Sequence, residues 1–465
     1  MRSTILVITL TLVFVHIVQS KVGFIKDQAM DAVFPGPVYS QAPSLPVGHM
    51  RPLGWQRKAD GPIPESGQPL ATQEFYERYV SQHKPGVFRN AVVSAPAFDT
   101  WQQDTYLTEK YGHLNVSVTV KLAKRKDKIV TAAQSMKLKD FLFNYMYDEL
   151  YLASGIPRDM MEELPLESSC PRIFTVPFLT LVPPPLLLQL PVCVRCGTIS
   201  ERLVSAQLWM SSGGTSSRVH SHDDHLLHCV LFGRRDFILV EQRHKKAFDF
   251  EEDFLGSLGG HSNMNTEMVN AFKFKSILRT PWVWSTLYPG DCLYVPAGFL
   301  HQVRSYGRSV STTIEFAPLT SFDNTGCTLI EEEFVPLSNA SFLLAFVNGR
   351  VKLADEELTP GKLRHMLVVL MGDLDLLTEA KFSHWYNRVV PQTSYLPDGT
   401  AVFDMLTSGE GETTLTKSDL STLTSKDLQK VADIFNLASS IDDLEGFDAD
   451  EEEDDKIKQK PHEEL

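Results

Sequence analysis

Apolar and polar positions change rhythm twice along this chain. Between residues 70 and 152, apolar residues recur at helical spacing in FYERYVSQ, WQQDTYLTEKYG and KLKDFLFNYMYDELYL. Short apolar runs, GVFRNAVV and NVSVTV, stand between them. The first group predicts helices, including an amphipathic one over 137–152, and the runs predict strands. From 203 to 317 the pattern becomes β-branched and aromatic: VSAQLWM, HCVLFG, DFILVEQ, STLYPGD, CLYVPAG, HQVRSYG and STTIEFA, punctuated by Gly and Pro. Short strands at this spacing predict an antiparallel sandwich or barrel. Beyond Phe334 the helical rhythm returns in GKLRHMLVVLM, EAKFSHWYNRVV, GTAVFDML and KSDLSTLTSKDLQKVADIFNL. The expected fold is mainly β with α additions, followed by a helical domain.

The ends of the chain carry signals of a different kind. MRSTILVITLTLVFVHIVQS has a basic Arg2, an apolar core from Ile5 to Val15 and small-residue spacing before residue 20, the pattern of a secretory signal peptide over 1–20. Its core is too short for the roughly 20 residues of a membrane span. The C-terminal HEEL resembles the retrieval signals of the endoplasmic-reticulum lumen. It follows an acidic tail, 441–465, that is expected to be solvated. Two Asn-x-Ser sequons, at Asn115 and Asn339, fit a glycoprotein of that compartment. One stretch, Ile173–Val192, is apolar enough to suggest a span, but its prolines remove backbone donors and exclude a lipid-spanning helix.

Composition narrows the partners. The net charge is −14, with no basic stripe, so nucleic acid is excluded. Six cysteines in 465 residues do not make a disulfide-stapled mini-protein, and the lone Cys193-x-x-Cys196 is expected to be structural.

The densest chemistry lies in SSRVHSHDDHLLHCVLFG, residues 216–233. Alternate residues of a strand share a face, so His220 with His222, or His222 with Asp224, can grip one metal ion. A third ligand is offered by His301, in YPGDCLYVPAGFLHQVRS, after two tight turns.

GTSSRVHSHDDHLLHCVLFGRRDFILV followed by PGDCLYVPAGFLHQVRS resembles the JmjC, or cupin-8, branch of the Fe(II)- and 2-oxoglutarate-dependent oxygenases. The resemblance covers about 70–320 and includes the lead-in FYERYVSQHKPGVFRNAVV. It implies a double-stranded β-helix, a cupin or jelly-roll core, with a His-x-Asp pair on one strand and a distal histidine. Aligning Gly233 with the family's glycine puts His220, His222 and His301 on the ligand positions, a histidine standing where the family has aspartate. Sliding the frame by two residues restores His222 and Asp224 as the pair but shifts the strand register, which burial of one face fixes strongly. The family's cosubstrate lysine becomes Arg235, able to hold a carboxylate bidentately. Ser217 matches an assisting hydroxyl, and Leu226 replaces a residue often polar. Asp223, Asp224, His225 and His228 are candidates for hydrogen-bonding a ligand imidazole.

In the helical region, FDMLTSGEGETTLTKSDL has the rhythm of an EF-hand, with Ser408, Glu410, Glu412 and Asp419 at ligand positions and Leu415 at the eighth. Thr413 stands where the loop needs glycine, and Leu374 occupies a ligand position of the upstream partner MGDLDLLTEAKF. A degenerate EF-hand-like pair is expected, a packing module rather than a calcium sensor, with any Ca(II) binding at Ser408 to Asp419 weak. The organisation is thus a signal peptide, a linker over 21–69, a JmjC/cupin-like domain over 70–320, a helical EF-hand-like domain over 335–440 and the acidic tail. The resemblance implies a dioxygenase that uses Fe(II) and 2-oxoglutarate and acts on a protein; the terminal signals add the lumen of the secretory pathway and retention by the retrieval receptor, with no stable membrane insertion expected. A catalytically silent metal-binding or interaction module, and a calcium-linked lumenal binding protein, are the competing readings.

Overall fold

The computed structural model describes residues 33–440, with its longest breaks at 166–193, 251–258 and 330–334 and shorter ones elsewhere. The segment 1–20 read as a signal peptide, the apolar segment Ile173–Val192, Cys193 and the acidic tail ending in HEEL lie outside the described residues, as do Ser408 and Glu410. No helix among the described residues is long and apolar enough to cross a membrane.

Two long antiparallel strands, His225–Val240 and Leu300–Phe316, form the spine of a 14-stranded sheet. Each is shared between two groups of partners. Cys292–Val295 pairs with the first half of His225–Val240, and Val283–Leu287 with the second. Thr215–Ser216 and His220–Ser221 pair with the start of Leu300–Phe316, and Leu203–Ser211 with its end. Beyond Leu203–Ser211 the sheet runs on through Leu150–Gly155, Asn115–Arg125 and Lys128–Lys137. This is a mainly β core with helices added, the antiparallel arrangement that the strand spacing predicts and the cupin-type core that the resemblance implies.

The spine is not regular, and the irregularity decides what faces inward. Register shifts fall between Val230 and Phe232 and between Phe232 and Arg234. Gly233 sits there at φ 82°, where an added Cβ would lie 2.2 Å from the Arg308 carbonyl oxygen; only glycine fits such an approach. His228 and Arg235 are an odd number of positions apart and would point to opposite faces of a uniform strand. The two shifts bring both onto the interior face, which Leu226, Val230, Phe237 and Leu239 share as one packed cluster. The mirror row on Leu300–Phe316 is unusually polar for an interior: His301, Ser305, Ser309, Ser311, Thr313 and Glu315 are all buried.

The PGD turn is held by its aspartate. Asp291 accepts hydrogen bonds from the backbone N–H groups of Tyr288 (3.0 Å) and Asn90 (3.3 Å) and from Arg89 (2.5 Å). Gly290 takes φ 97° in the same turn. Next to it Cys229 and Cys292, opposite each other in the ladder, are joined by a buried disulfide.

Two expectations change. Residues 137–152 do not form one helix: the helix ends at Asn144, and Leu150–Gly155 is a strand whose alternate residues are buried between Leu203–Ser211 and Asn115–Arg125. Leu150 and Leu152 satisfy a period of two as well as a helical one, and the sheet wins. The segment 21–69 is more than a linker, since Gly61–Pro62 and Glu65–Ser66 add strands and Leu53 and Ile63 are buried.

One buried carboxylate locks the N-terminal helices onto the sheet. Glu163, 6% exposed, accepts from Thr100 (2.7 Å), Trp101 Nε1 (2.8 Å), Tyr111 (2.9 Å), Tyr106 and Lys110. Burial alone would raise its pKa; the hydrogen bonds from Lys110, Thr100 and the two tyrosines outweigh it and lower the pKa to about 2. A depressed folded-state pKa contributes stability that is present above the unfolded value near 4.5 and lost as the pH falls toward 2. Glu163→Ala, which strands these donors, should cost about 3 kcal/mol at neutral pH. Urea denaturation at pH 7 and pH 3 checks this, the penalty shrinking at the lower pH.

The C-terminal region has its own core, from Leu358 to Ala438. Helices Pro360–Met371 and Glu379–Val389 flank one loop; Gly399–Leu406 and Lys417–Thr422 flank another. The loops are joined by the short antiparallel strands Leu376–Thr378 and Thr414–Thr416, with Leu377 opposite Leu415. Leu374 is 73% exposed where a calcium loop needs an oxygen. Asp419 is engaged as a helix cap, its carboxylate accepting from the Thr416 N–H (2.9 Å) and hydroxyl (2.6 Å). Adding millimolar calcium should therefore leave the melting temperature unchanged in a thermal scan.

Candidate metal centre

Three imidazoles meet at the mouth of the barrel. His220 lies directly opposite His301 in the ladder, and His301 is in turn opposite Leu239 of the spine. His222 follows one turn-like step later, its carbonyl accepting from the Gly298 N–H at 2.8 Å, so the PAG turn is pinned against it. One ring nitrogen from each of His220, His222 and His301 lies within 4.8 Å of the others. Ring centroids are 4.1 Å apart for His220 and His301, 5.3 Å for His220 and His222 and 5.5 Å for His222 and His301.

Hydrogen bonds select the nitrogen each ring presents. Nδ1–H of His220 donates to the Arg218 carbonyl (2.9 Å), that of His301 to the Phe299 carbonyl (3.2 Å) and that of His222 to Glu315 Oε1 (3.0 Å). With every Nδ1 engaged by an acceptor, Nε2 of each ring is left with its lone pair, which is what a divalent ion needs.

Electrostatics agree for two of the three. Burial, with the neighbouring histidines, pushes His220 well below its ordinary value and His301 down to about 3. Both are neutral at physiological pH. Burial acts the same way on His222, but its hydrogen bond to Glu315 outweighs it and raises the pKa. Burial and the nearby Glu315 push Asp224 up to about 7.

Asp224 is not part of the cluster. Asp223 accepts from the Gly259 N–H at 2.7 Å, and His225 is turned away, its Nδ1 accepting from the Ala297 N–H (3.0 Å) and Tyr294 hydroxyl (2.9 Å). The residue that hydrogen-bonds a cluster imidazole is Glu315, which sequence reasoning missed. Its signal was the single charged residue of the strand run STTIEFA. A fourth histidine, His261, also went unnoticed; it is exposed and its ring stacks on His220 at 6.0 Å. Two cations of helix Glu379–Val389, Lys381 and Arg388, act electrostatically on Asp224 and Glu315, so the helical region borders this side of the site.

Deeper in the barrel, Arg235 is 1% exposed. It donates to the Tyr151 hydroxyl (3.2 Å), the Trp209 carbonyl (3.3 Å) and Ser309 Oγ (3.4 Å). None of these is an anion, and its Nε has no hydrogen-bond partner. His228 lies within its electrostatic field and is held neutral chiefly by burial. Thr313 Oγ1 accepts from Trp209 Nε1 (2.9 Å), which frees its own proton for His228 Nδ1 (2.8 Å). His228 Nε2–H is then a second buried donor with no partner. Ser217 sits at the edge of this space, its hydroxyl accepting from the Val303 N–H at 2.9 Å.

A barrel of this topology with a histidine cluster at its mouth and a buried cation behind it defines a class. The chain belongs to the cupin-like domain family, whose model matches residues 71–317. Among its relatives is the Jumonji C domain-containing protein 5 of Drosophila melanogaster, 22% identical over 274 residues, which are 58% of this chain and 63% of the relative. The chain thus spans less than two thirds of that relative's length.

Proposed function

We propose that this protein is an Fe(II)- and 2-oxoglutarate-dependent oxygenase that hydroxylates a protein in the lumen of the endoplasmic reticulum. The observation that carries this reading is the pair of unsatisfied buried donors, Arg235 Nε and His228 Nε2, behind three imidazoles with free Nε2 atoms. A buried guanidinium without an anion is costly, and a dicarboxylate that reaches from the metal to Arg235 relieves the cost. The residues therefore fit both groups.

In this reading His220, His222 and His301 hold the metal, Arg235 takes the distal carboxylate and His228 donates a hydrogen bond to the cosubstrate. Iron supplies the open coordination positions at which oxygen and 2-oxoglutarate react. The chain's own share is to keep His220 and His301 neutral, to hold His222 through Glu315, to orient the cosubstrate and to exclude water behind Phe237, Leu239 and Val303. The lumenal location is supported by the signal-like 1–20 segment, the HEEL terminus, the buried Cys229–Cys292 disulfide and the exposure of both sequon asparagines, Asn115 and Asn339. Retrieval by the HEEL receptor and a secretory-pathway protein substrate belong to the same proposal.

A specific observation favours the second reading, a metal-binding module without turnover: the carboxylate of a two-histidine, one-carboxylate site is replaced by His222, and three histidines also suit zinc. Aerobic incubation of the iron-loaded protein with 2-oxoglutarate separates the two. The oxygenase reading expects succinate above the level of a His301→Ala control even without the protein substrate; succinate equal to the control favours the silent module.

A further inference from the structure

We infer that Glu315 is the carboxylate of this metal centre, moved from the ligand position to the far side of a ligand imidazole, and that it acts there as a positioning residue. The inference rests on the metal reading of the three histidines. Where a carboxylate ligand would sit, His222 reaches back through Nδ1 to Glu315 Oε1 at 3.0 Å. Glu315 is 7% exposed and is itself fixed: Ser205 Oγ donates to Oε2 at 2.7 Å and Gln207 Nε2 to Oε1 at 3.3 Å. A carboxylate with this many partners is not a spare surface charge.

The arrangement has two physical consequences. First, the hydrogen bond fixes the ring angle and the tautomer of His222, presenting Nε2 and making it a stronger donor to a cation. Second, it returns to the site one negative charge that the substitution of a histidine for a carboxylate removed. Among the described residues His220 and His301 have carbonyl acceptors behind them, whereas His222 has the anionic support of Glu315.

The test is a metal titration of the full-length protein, metal-free at the start, with Co(II) as a spectroscopic probe. Glu315→Gln keeps shape and an acceptor oxygen but removes the charge; it should weaken Co(II) binding by about 10- to 100-fold and change the visible Co(II) spectrum. In a His222→Asp background the same substitution should cost nothing, because the carboxylate is back among the ligands and no imidazole needs support. A merely structural Glu315 would give the same loss in both backgrounds, which overturns the inference. So does unchanged Co(II) affinity in Glu315→Gln when the parent binds. If the parent binds no Co(II), the metal reading itself falls. Should Glu315→Gln fail to fold by circular dichroism, Glu315→Asp, with the carboxylate withdrawn by one methylene, is measured in both backgrounds with the same criteria.

Discussion

His220→Ala abolishes metal binding, whereas Asp224→Ala leaves it intact. This is the largest effect the structure predicts, because the two residues separate two registers of one strand. His220 sits opposite His301 in the ladder and shares with it the shortest ring separation of the cluster. Removing it leaves two imidazoles, and the loss should exceed the roughly 10- to 100-fold that goes with losing a ligand's hydrogen-bond partner. Stability should not suffer in the metal-free state, since His220 is a half-buried neutral ring with one bond to a nearby carbonyl. Isothermal titration with Zn(II) or Co(II), alongside thermal melts, reads both. Metal binding retained in His220→Ala and lost in Asp224→Ala would reassign the centre to His222 and Asp224.

Arg235→Met removes 2-oxoglutarate binding and spares the metal. Truncating one partner of a desolvated charge pair costs about 2–5 kcal/mol, equivalent to roughly 30-fold or more in affinity. The fold should tolerate the change or gain from it, since no anion among the described residues pairs with this guanidinium and a buried unpaired cation is a burden to the apo protein. Arg235→Lys should fall between the two, because a lysine offers a point charge in place of a planar fork. Fluorescence-detected binding of 2-oxoglutarate to the metal-loaded variants would show the order. Equal affinity across the three would remove Arg235 from the site.

Much of this centre was legible before any coordinates, and the reason is register. His220, His222 and Gly233 lie on one continuous stretch, so once the resemblance aligns Gly233 with the family's glycine the ligand positions follow by count. His301 could be added because PGDCLYVPAGFLH encodes two turns and the strand between them. Arg235 was singled out only because the resemblance places the family's cosubstrate lysine two residues after that glycine. What the irregularity does was not legible: the alternation rule alone puts His228 and Arg235 on opposite faces, and only the paired shifts around Phe232 bring them together.

Glu315 and His261 were hidden for a different reason. Each reaches the site through strand pairing across long sequence separations, Glu315 beside Ser205 and His261 beside His220, and no local pattern marks such pairs. The helix expected over 137–152 failed because Leu150 and Leu152 fit either period, and the sheet edge offered by Leu203–Ser211 decided between them. The C-terminal region shows the converse. Its helices and their Leu377–Leu415 bridge follow the rhythm of the sequence closely, while the poor calcium ligands at Leu374 and Asp419 were visible as departures from a loop that needs oxygen at those places.

In the proposed reading three histidines and a buried arginine form one metal-and-dicarboxylate site. This arrangement is tested most directly by adding Fe(II) and then 2-oxoglutarate to the full-length protein without oxygen and recording the visible spectrum. The account predicts a charge-transfer band from chelated 2-oxoglutarate that saturates at one equivalent of iron, disappears in His220→Ala and needs far more 2-oxoglutarate in Arg235→Met. A protein that keeps one equivalent of zinc or iron and shows no band at any 2-oxoglutarate concentration would contradict it.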